Sequence, residues 1–121
     1  MRIAMTDELK DITLRELLLW LIRRRQRVQV TGNSMLPLLN PGDEVLVDQR
    51  AYRYALPQAS DIVIAQHPQR TDLRLIKRVV SITKDGRYIL KGDNPLESTD
   101  SRTFGTVTVE QILGRVTCRF S

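Results

Sequence analysis

A serine in the stretch TGNSMLPLLNPGDEVLVD, residues 31–48, is the first candidate for chemistry in this chain. Ser34 follows a Gly-Asn pair and precedes Met-Leu-Pro, so it lies on a turn ahead of an alternating apolar run. A serine hydroxyl is a weak nucleophile at neutral pH and needs a general base and donors for an oxyanion. If Ser34 is a nucleophile rather than an ordinary loop hydroxyl, the rest of the chain must supply both.

Histidine is the usual base for a serine nucleophile, and this chain has one histidine, His67, in the polar stretch AQHPQR. A Ser-His-Asp triad requires a histidine that is buried beside the serine with a carboxylate behind it. The polar context and the following Pro68 favour a solvent-exposed loop side chain instead. The sequence therefore directs the search to another base.

Lysine is the second option, and Lys77 lies in the stretch LRLIKRVVS. Alternate positions of a strand share a face, so Lys77 shares a row with Leu75 and Val79, while Arg74 and Arg78 mark the opposite row as more solvated. Burial disfavours an ammonium group and lowers the pKa of a lysine, as a lysine base requires. The alternative is a lysine whose amine reaches solvent from the edge of a strand.

The third polar stretch is KGDNPLESTDSRTFG, residues 91–105. Its GDN segment, residues 92–94, predicts a tight turn. Ser98 offers a hydroxyl that could hold a neutral lysine amine, and Asp100 and Arg102 could form an ion pair. Taken alone, the stretch is equally typical of a polar surface loop with a weak salt bridge.

Together, in this order, the three stretches resemble the type I signal peptidase family of serine–lysine peptidases. The matching boxes are GNSMLP at 32–37, IKRV at 76–79 and GDNPLESTDSRTFG at 92–105. The resemblance extends from about residue 28 to the C-terminus, and it implies a β fold of coiled antiparallel sheets. Three ordered boxes are far more specific than any one of them.

The resemblance implies roles for individual residues. Ser34 would be the nucleophile, its backbone N–H would hold the oxyanion, and Lys77 would be the general base, the serine–lysine variant of triad logic. Gly32 stands where some members carry a hydroxyl, so the second oxyanion donor is undefined. Met35 and Pro37 would shape the turn and the adjoining pocket wall.

Further along the chain, Ser98 matches the family serine that orients the lysine. Asp100 and Arg102 match the supporting ion pair of the family. No cofactor is implied. No metal site is predicted, because the chain has one histidine and one cysteine far apart in sequence.

The substrate expectation also comes from the resemblance. The compact length and the box VTGNSMLPLLNPGDEVLV are similar to a short branch of the family, the nickel-type superoxide dismutase maturation proteases. That similarity implies a precursor protein as partner, with the propeptide of a nickel superoxide dismutase as the expected substrate. The alternative is a small signal peptidase I-like enzyme that cleaves signal peptides at a membrane surface.

Ahead of the serine box, apolar residues recur at helical spacing and predict an amphipathic helix over residues 7–27, capped by Thr6 or Asp7. We divide the chain into this segment, 1–27, and a catalytic domain, 28–121. The helix could pack on the domain. It could also lie at a membrane surface with Trp20 and its arginines among the headgroups.

The remainder of the chain predicts a mainly β domain. Expected strands include residues 61–66, 73–82 and 116–120, with turns at NPGD, 40–43, and KDGR, 84–87. We therefore expect a compact, mostly antiparallel β domain behind one leading helix.

Composition sets the outer limits of the function. The chain has 121 residues and a formal charge of +5, which fits one domain and permits acidic partners. We expect no nucleic-acid binding, because a helix-turn-helix needs more helices than the leading segment holds. The longest apolar run near the N-terminus, LLLWLI at 17–22, is too short to span a membrane.

These limits predict a cytoplasmic protein, in peripheral contact with a membrane at most. Cys118 is expected to be a buried small hydrophobe rather than a reactive thiol. Two other classes remain open. They are a self-cleaving repressor, which would need a DNA-binding module that is not evident here, and a non-catalytic β domain that binds a partner through its basic helix.

Overall fold

The computed structural model describes residues 9–96 and 104–120, which form a six-stranded sheet and one α-helix of eight residues, α1 (Leu14–Leu21). The strands are β1 Gln26–Gln29, β2 Glu44–Asp48, β3 Ile62–Gln66, β4 Arg74–Ile82, β5 Tyr88–Lys91 and β6 Ile112–Arg119. A short 3-10 helix, Val109–Gln111, leads into β6. Their order across the sheet is β1-β2-β6-β3-β4-β5, and the paired strands run antiparallel. The predicted mainly β fold is confirmed.

Strand β3 lies near the middle of the sheet and is buried on both faces. Ile62 and Ile64 pack into one core cluster, and Val63 and Ala65 pack into a second. Successive residues of a strand point to opposite faces, so a continuous apolar run such as IVIA suits a strand covered on both sides. The two cores therefore fix which side chains of residues 74–78 on the neighbouring strand β4 point to each face.

Two predicted turns are present where the sequence places them. At residues 40–43 the Asp43 N–H donates to the Asn40 carbonyl at 3.0 Å, and Gly42 has φ +93°, as the third position of a type II turn requires. Between β4 and β5, Gly86 has φ +83° in the Asp-Gly turn. These turns set the register of β2 and β5.

The helix is shorter than the predicted segment 7–27. Thr6 and Asp7 lie outside the described residues, and α1 is capped instead by Thr13, whose hydroxyl accepts the Glu16 N–H at 3.2 Å. The helix stops at Leu21, and Arg23, with φ +66°, leads the chain out of it. The arginine-rich end was assigned to the helix because its charge suits a helix C-terminus, but β1 already begins at Gln26.

Side-chain contacts attach α1 to the sheet. Arg25 donates to both carboxylate oxygens of Glu16, at 3.0 and 3.3 Å, and the Thr117 hydroxyl donates to Glu16 at 2.6 Å. Trp20 packs edge-on against Phe120 with ring centroids 4.9 Å apart. Trp20 and Arg25 therefore contact the protein itself, which agrees with the first of the two alternatives, a helix packed on the domain.

The opposite side of α1 carries apolar residues that nothing covers among the described residues. Leu14, Leu18, Leu21 and Ile22 are between 52% and 71% exposed, at a spacing that aligns them along one side of the helix. Within the described residues, no helix is long and apolar enough to cross a membrane. We refer to these four residues as the apolar ridge of α1.

Candidate active site

Ser34 lies on a compact loop between β1 and β2. Gly32, at φ +77°, turns the chain just before it, and the Leu36 N–H donates to the Asn33 carbonyl at 3.2 Å just after it. The next side chain, Met35, is fully buried in the first core cluster. A fully buried side chain beside Ser34 fixes the loop against the sheet, while Ser34 itself is partly exposed.

Lys77 lies in the middle of β4 and is 3% exposed. It pairs directly with Val63 of β3, and its row continues with the fully buried Val79. The prediction that Lys77 belongs to the apolar row of this strand is confirmed. Lys77 is therefore the buried charged residue of this strand, on the face of the second core cluster.

Asn94 joins the serine loop to the end of β5. Its backbone N–H donates to the Ser34 carbonyl at 2.8 Å, and its side-chain amide donates to the Asn33 carbonyl at 3.0 Å. Asn94 follows β5, which pairs with β4 beginning at Arg78, the residue after Lys77. Two of the three sequence boxes therefore meet directly, and the third lies on the adjoining strand.

A forked ion pair holds the same turn on β4. The guanidinium of Arg78 donates to both carboxylate oxygens of Asp93, each at 2.9 Å, and also to the Ser60 carbonyl at 3.0 Å. Two parallel charge-assisted hydrogen bonds fix orientation as well as distance. No ion pair between these two residues is predicted from the sequence. The position of Asp93 in a turn directly after the strand that pairs with β4 was the signal that it could reach Arg78.

His67 lies in the loop between β3 and β4, where its Nδ1 accepts the N–H groups of Gln69 and Arg70, each at 3.1 Å. An imidazole nitrogen that accepts two backbone hydrogen bonds is committed to shaping the loop. Cys118 is 1% exposed, as predicted, and burial together with the charge of Glu16 raises the pKa of its thiol. Neither residue therefore has the environment of a catalytic base or nucleophile.

Ser98, Asp100 and Arg102 lie outside the described residues, so their predicted roles stay predictions. Gly32 forms the turn before the serine, and Pro37 is exposed and follows a cis peptide bond. The Ser34 N–H makes no hydrogen bond to any residue within 9–96 and 104–120. The predicted oxyanion role of this N–H stays a prediction.

A small cavity adjoins the two strands that lead to Ser34 and Lys77. It has a volume of about 190 Å³ and is lined by residues 28–31 from the first strand and its extension, by Ile64, and by Arg74 and Ile76. Residues 74–77 of β4 pair with β3 on one side, but β5 pairs with β4 only from Arg78 onward. The described part of the chain thus leaves an open strand edge beside the cavity, to which an extended peptide could add.

The sequence model of the family described as signal peptidase, peptidase S26, matches residues 12–85 and 82–121. These matches cover most of the chain and include the serine loop, β4 and the turn after β5. The chain belongs to the signal peptidase, peptidase S26 family. The resemblance stated for the three boxes is confirmed at the level of the family.

The chain is also similar to individual proteases and a probable signal peptidase. The chain is 33% identical to mitochondrial ATP-independent inner membrane protease subunit 1b of Arabidopsis thaliana, over 73% of this chain and 65% of that protein. It is 32% identical to mitochondrial inner membrane protease subunit 1 of Schizosaccharomyces pombe, over 77% and 72%. A probable signal peptidase I-1 of Synechocystis is 23% identical, over 75% and 68%. The chain thus spans just under two thirds of the Arabidopsis relative.

Proposed function

We propose that this chain is a serine endopeptidase that removes an N-terminal extension from a precursor protein, with Ser34 as nucleophile and Lys77 as general base. The observation that carries the proposal is the hydrogen bond from the Asn94 N–H to the Ser34 carbonyl. It attaches the serine loop to the end of β5, beside the strand on which Lys77 is buried. Membership of a peptidase family supports the same class of reaction.

The chemistry follows the serine–lysine variant of covalent catalysis. The Ser34 Oγ attacks the scissile carbonyl and gives its proton to the neutral amine of Lys77, while the Ser34 N–H stabilises the oxyanion. Collapse of this intermediate breaks the peptide bond, and the lysine returns the proton to the leaving amine. Water then gives a proton to Lys77 and attacks the ester carbonyl. The bond from the acyl carbon to Ser34 Oγ breaks, and Lys77 returns the proton to Oγ.

Supporting roles belong to the same proposal. Ser98 orients the lysine amine, and Asp100 pairs with Arg102 to support that segment. Met35 anchors the loop through its burial in the core. Since the Arg78–Asp93 fork holds the preceding turn on β4, it places Asn94 where it contacts the serine loop.

The class of precursor has two candidates. The relatives named above include a probable signal peptidase and inner membrane protease subunits, which favours the alternative of signal-peptide cleavage over the nickel superoxide dismutase propeptide. The short serine box and the 14 residues between Lys77 and Gly92 support the nickel branch, because they resemble its compact spacing. We therefore place signal-peptide cleavage first.

A cleavage assay tests both candidates together. Purified chain is mixed with a secretory precursor and, separately, with a nickel superoxide dismutase precursor, and the product N-termini are determined by intact mass. Ser34→Ala is the inactive control and Ser81→Ala, an exposed serine at the far end of β4, is the matched control. We expect one cut in one precursor, lost in Ser34→Ala and retained in Ser81→Ala.

The two precursors separate the candidates. Cleavage of the secretory precursor alone supports signal-peptide processing, and cleavage of the nickel precursor alone establishes the maturation function. Cleavage that survives Ser34→Ala contradicts the nucleophile. An absence of cleavage with either precursor would contradict the peptidase proposal and favour a partner-binding β domain.

Contact with a membrane surface is also part of the proposal. The apolar ridge of α1 and the exposed Arg23 and Arg24 that follow it suit a helix lying in a bilayer interface rich in anionic lipid. In this proposal, residues 14–24 of the predicted segment 7–27 make the contact with the membrane. A cytoplasmic location stays a prediction from the sequence.

A further inference from the structure

The cavity beside the candidate active site is lined mainly by apolar side chains. Val28 and Val30 come from the segment that leads to Ser34, and Ile64 and Ile76 face each other across β3 and β4. Its volume of about 190 Å³ is smaller than the roughly 300–1,000 Å³ of typical small-molecule sites. It therefore suits one side chain of a bound peptide rather than a separate ligand.

Arg74 is the charged residue of that lining. It is the first residue of β4, three positions before Lys77 on the same strand, and it is exposed. Its guanidinium makes no hydrogen bond or ion pair with any residue of the ranges 9–96 and 104–120, whereas Arg78 on the same face is held by Asp93. An arginine that has no partner among the described residues, at the border of an apolar cavity, suits a substrate carboxylate.

We propose that Arg74 determines specificity, by selecting a substrate with an acidic side chain near the cleaved bond. The aliphatic stem of a glutamate contacts the valines and isoleucines of the cavity, and its carboxylate meets the guanidinium at the border. This inference rests on the proposed peptidase function, because the cavity adjoins the open edge of β4 at residues 74–77. The substrate class is thus a precursor with a glutamate close to its cleavage site.

Peptide cleavage measures this preference directly. Synthetic peptides that share the sequence around the cleaved bond of the processed precursor are varied one position at a time, with Glu, Gln or Lys on either side of the cut. At one position we expect kcat/KM for the Glu peptide to exceed that for the Lys peptide by roughly fivefold, which corresponds to the free energy of a partly exposed ion pair. Added salt should lower this ratio. In Arg74→Glu the order of Glu and Lys at that position reverses.

A matched variant separates a local effect from a change in overall charge. Arg70 is an exposed arginine in the β3–β4 loop outside the cavity lining, so Arg70→Glu makes the same charge change nearby. We expect Arg70→Glu to retain the preference of the unmodified chain. Equal changes in Arg70→Glu and Arg74→Glu would mean that net charge steers the peptides, and would overturn the proposal.

The outcomes also distinguish this inference from the proposed function. In one outcome, the peptides are cut in a Ser34-dependent reaction while Arg74→Glu leaves the ratio of kcat/KM for Glu and Lys peptides unchanged at every position. This result would overturn the role of Arg74 and leave the peptidase proposal intact. If neither the precursors nor the peptides are cut, the peptidase proposal fails and the specificity inference fails with it. A reversal confined to one position would establish both.

Discussion

The region around Ser34 and the region around α1 both attach a segment of chain to the sheet, but they use different bonds. Near Ser34 the contacts are hydrogen bonds to backbone carbonyls, from the N–H of Asn94 to Ser34 and from its side-chain amide to Asn33, strengthened by the Arg78–Asp93 fork. At α1 the contacts join side chains, and the Glu16 carboxylate lies at their centre.

The two kinds of contact differ in how they depend on pH. Backbone hydrogen bonds do not titrate in the physiological range, so the bond between Asn94 and Ser34 does not itself depend on the charge of a side chain. An ion pair around one carboxylate contributes to stability only while that carboxylate is charged. We infer that substitutions near Ser34 lower catalysis, whereas substitutions around Glu16 lower folding stability and leave catalysis largely unchanged.

The largest effect should follow from Lys77→Met, which replaces the proposed base by an apolar side chain of similar length. We expect kcat/KM to fall at least about 1,000-fold because the proposed base is lost, while the protein still folds. The measurements are initial rates and urea denaturation. Lys91→Met, at an exposed position of β5, is the matched control and should keep its activity.

The pH–rate profile sharpens the same test. In the unmodified chain kcat/KM should rise through a limb set by a lysine, more alkaline than the value of about 6.5 for histidine. His67→Ala should keep that limb, because His67 accepts backbone hydrogen bonds in a loop. A limb near the histidine value that disappears in His67→Ala would contradict the assignment of Lys77.

A smaller loss of activity should follow from Asp93→Asn, which removes one charge of the fork and leaves the Asn94 backbone in place. We expect kcat/KM to fall about 10- to 100-fold, because the turn that contacts the serine loop is less firmly oriented. The free energy of unfolding should fall by less than about 1 kcal/mol, because both side chains are partly exposed and asparagine keeps one acceptor for the guanidinium. Asp72→Asn, at an exposed loop position, is the matched control; an equal effect there would contradict a role for the fork.

Much of the serine region was predictable because its signals are local. The type II turn depends on Gly42, the hairpin on Gly86, and the burial of Lys77 on the alternation within β4. The contact of Asn94 with Ser34 was not predictable from these patterns, because it joins residues 60 positions apart and depends on how the strands are ordered. The Arg78–Asp93 fork was missed for the same reason.

The helix was the weaker prediction, because its boundaries depend on tertiary contacts. The arginines that follow α1 suit a helix C-terminus by charge, yet Arg25 pairs with Glu16 and Arg27 lies in β1. Helix propensity does not show that Arg25 forms an ion pair with Glu16, or that Arg27 lies in a strand that pairs with β2. Local patterns therefore fixed the type of each element better than its ends.

Glu16→Gln tests the helix region through pH. Burial acts to raise the pKa of Glu16, but hydrogen bonds from Thr117 and Arg25 and the charge of Arg25 outweigh it and hold the pKa below its ordinary value. A lowered pKa in the folded state stabilises the fold above the unfolded value of about 4.3, and this stability is lost as the pH falls through the folded pKa.

We therefore expect Glu16→Gln to lower the free energy of unfolding by about 1–2 kcal/mol at pH 7, with little change in kcat/KM. The difference between the two proteins should shrink as the pH is lowered below about 4. Urea denaturation across this pH range measures it, and Glu110→Gln, at an exposed position before β6, is the control. A difference that stays constant with pH would show that the carboxylate charge is not what stabilises this region.

The smallest effect on the fold, and a separate effect on binding, is expected from Leu18→Gln on the apolar ridge of α1. Leu18 is 52% exposed and glutamine is a good helix former, so the free energy of unfolding should change by less than about 0.5 kcal/mol. If the ridge enters the interface of a bilayer, losing one leucine should weaken binding to vesicles with anionic lipid by about tenfold.

Sedimentation with such vesicles at low and high salt measures this binding, and Leu56→Gln, on a leucine that is 67% exposed far along the chain from α1, is the matched control. Salt screens the attraction of Arg23 and Arg24 to anionic lipid but does not weaken the insertion of leucines. Binding that persists at high salt and weakens only in Leu18→Gln would therefore identify apolar insertion of α1. Equal binding by both variants would contradict the membrane contact. The role of α1 would then be confined to the folding stability that Glu16 provides.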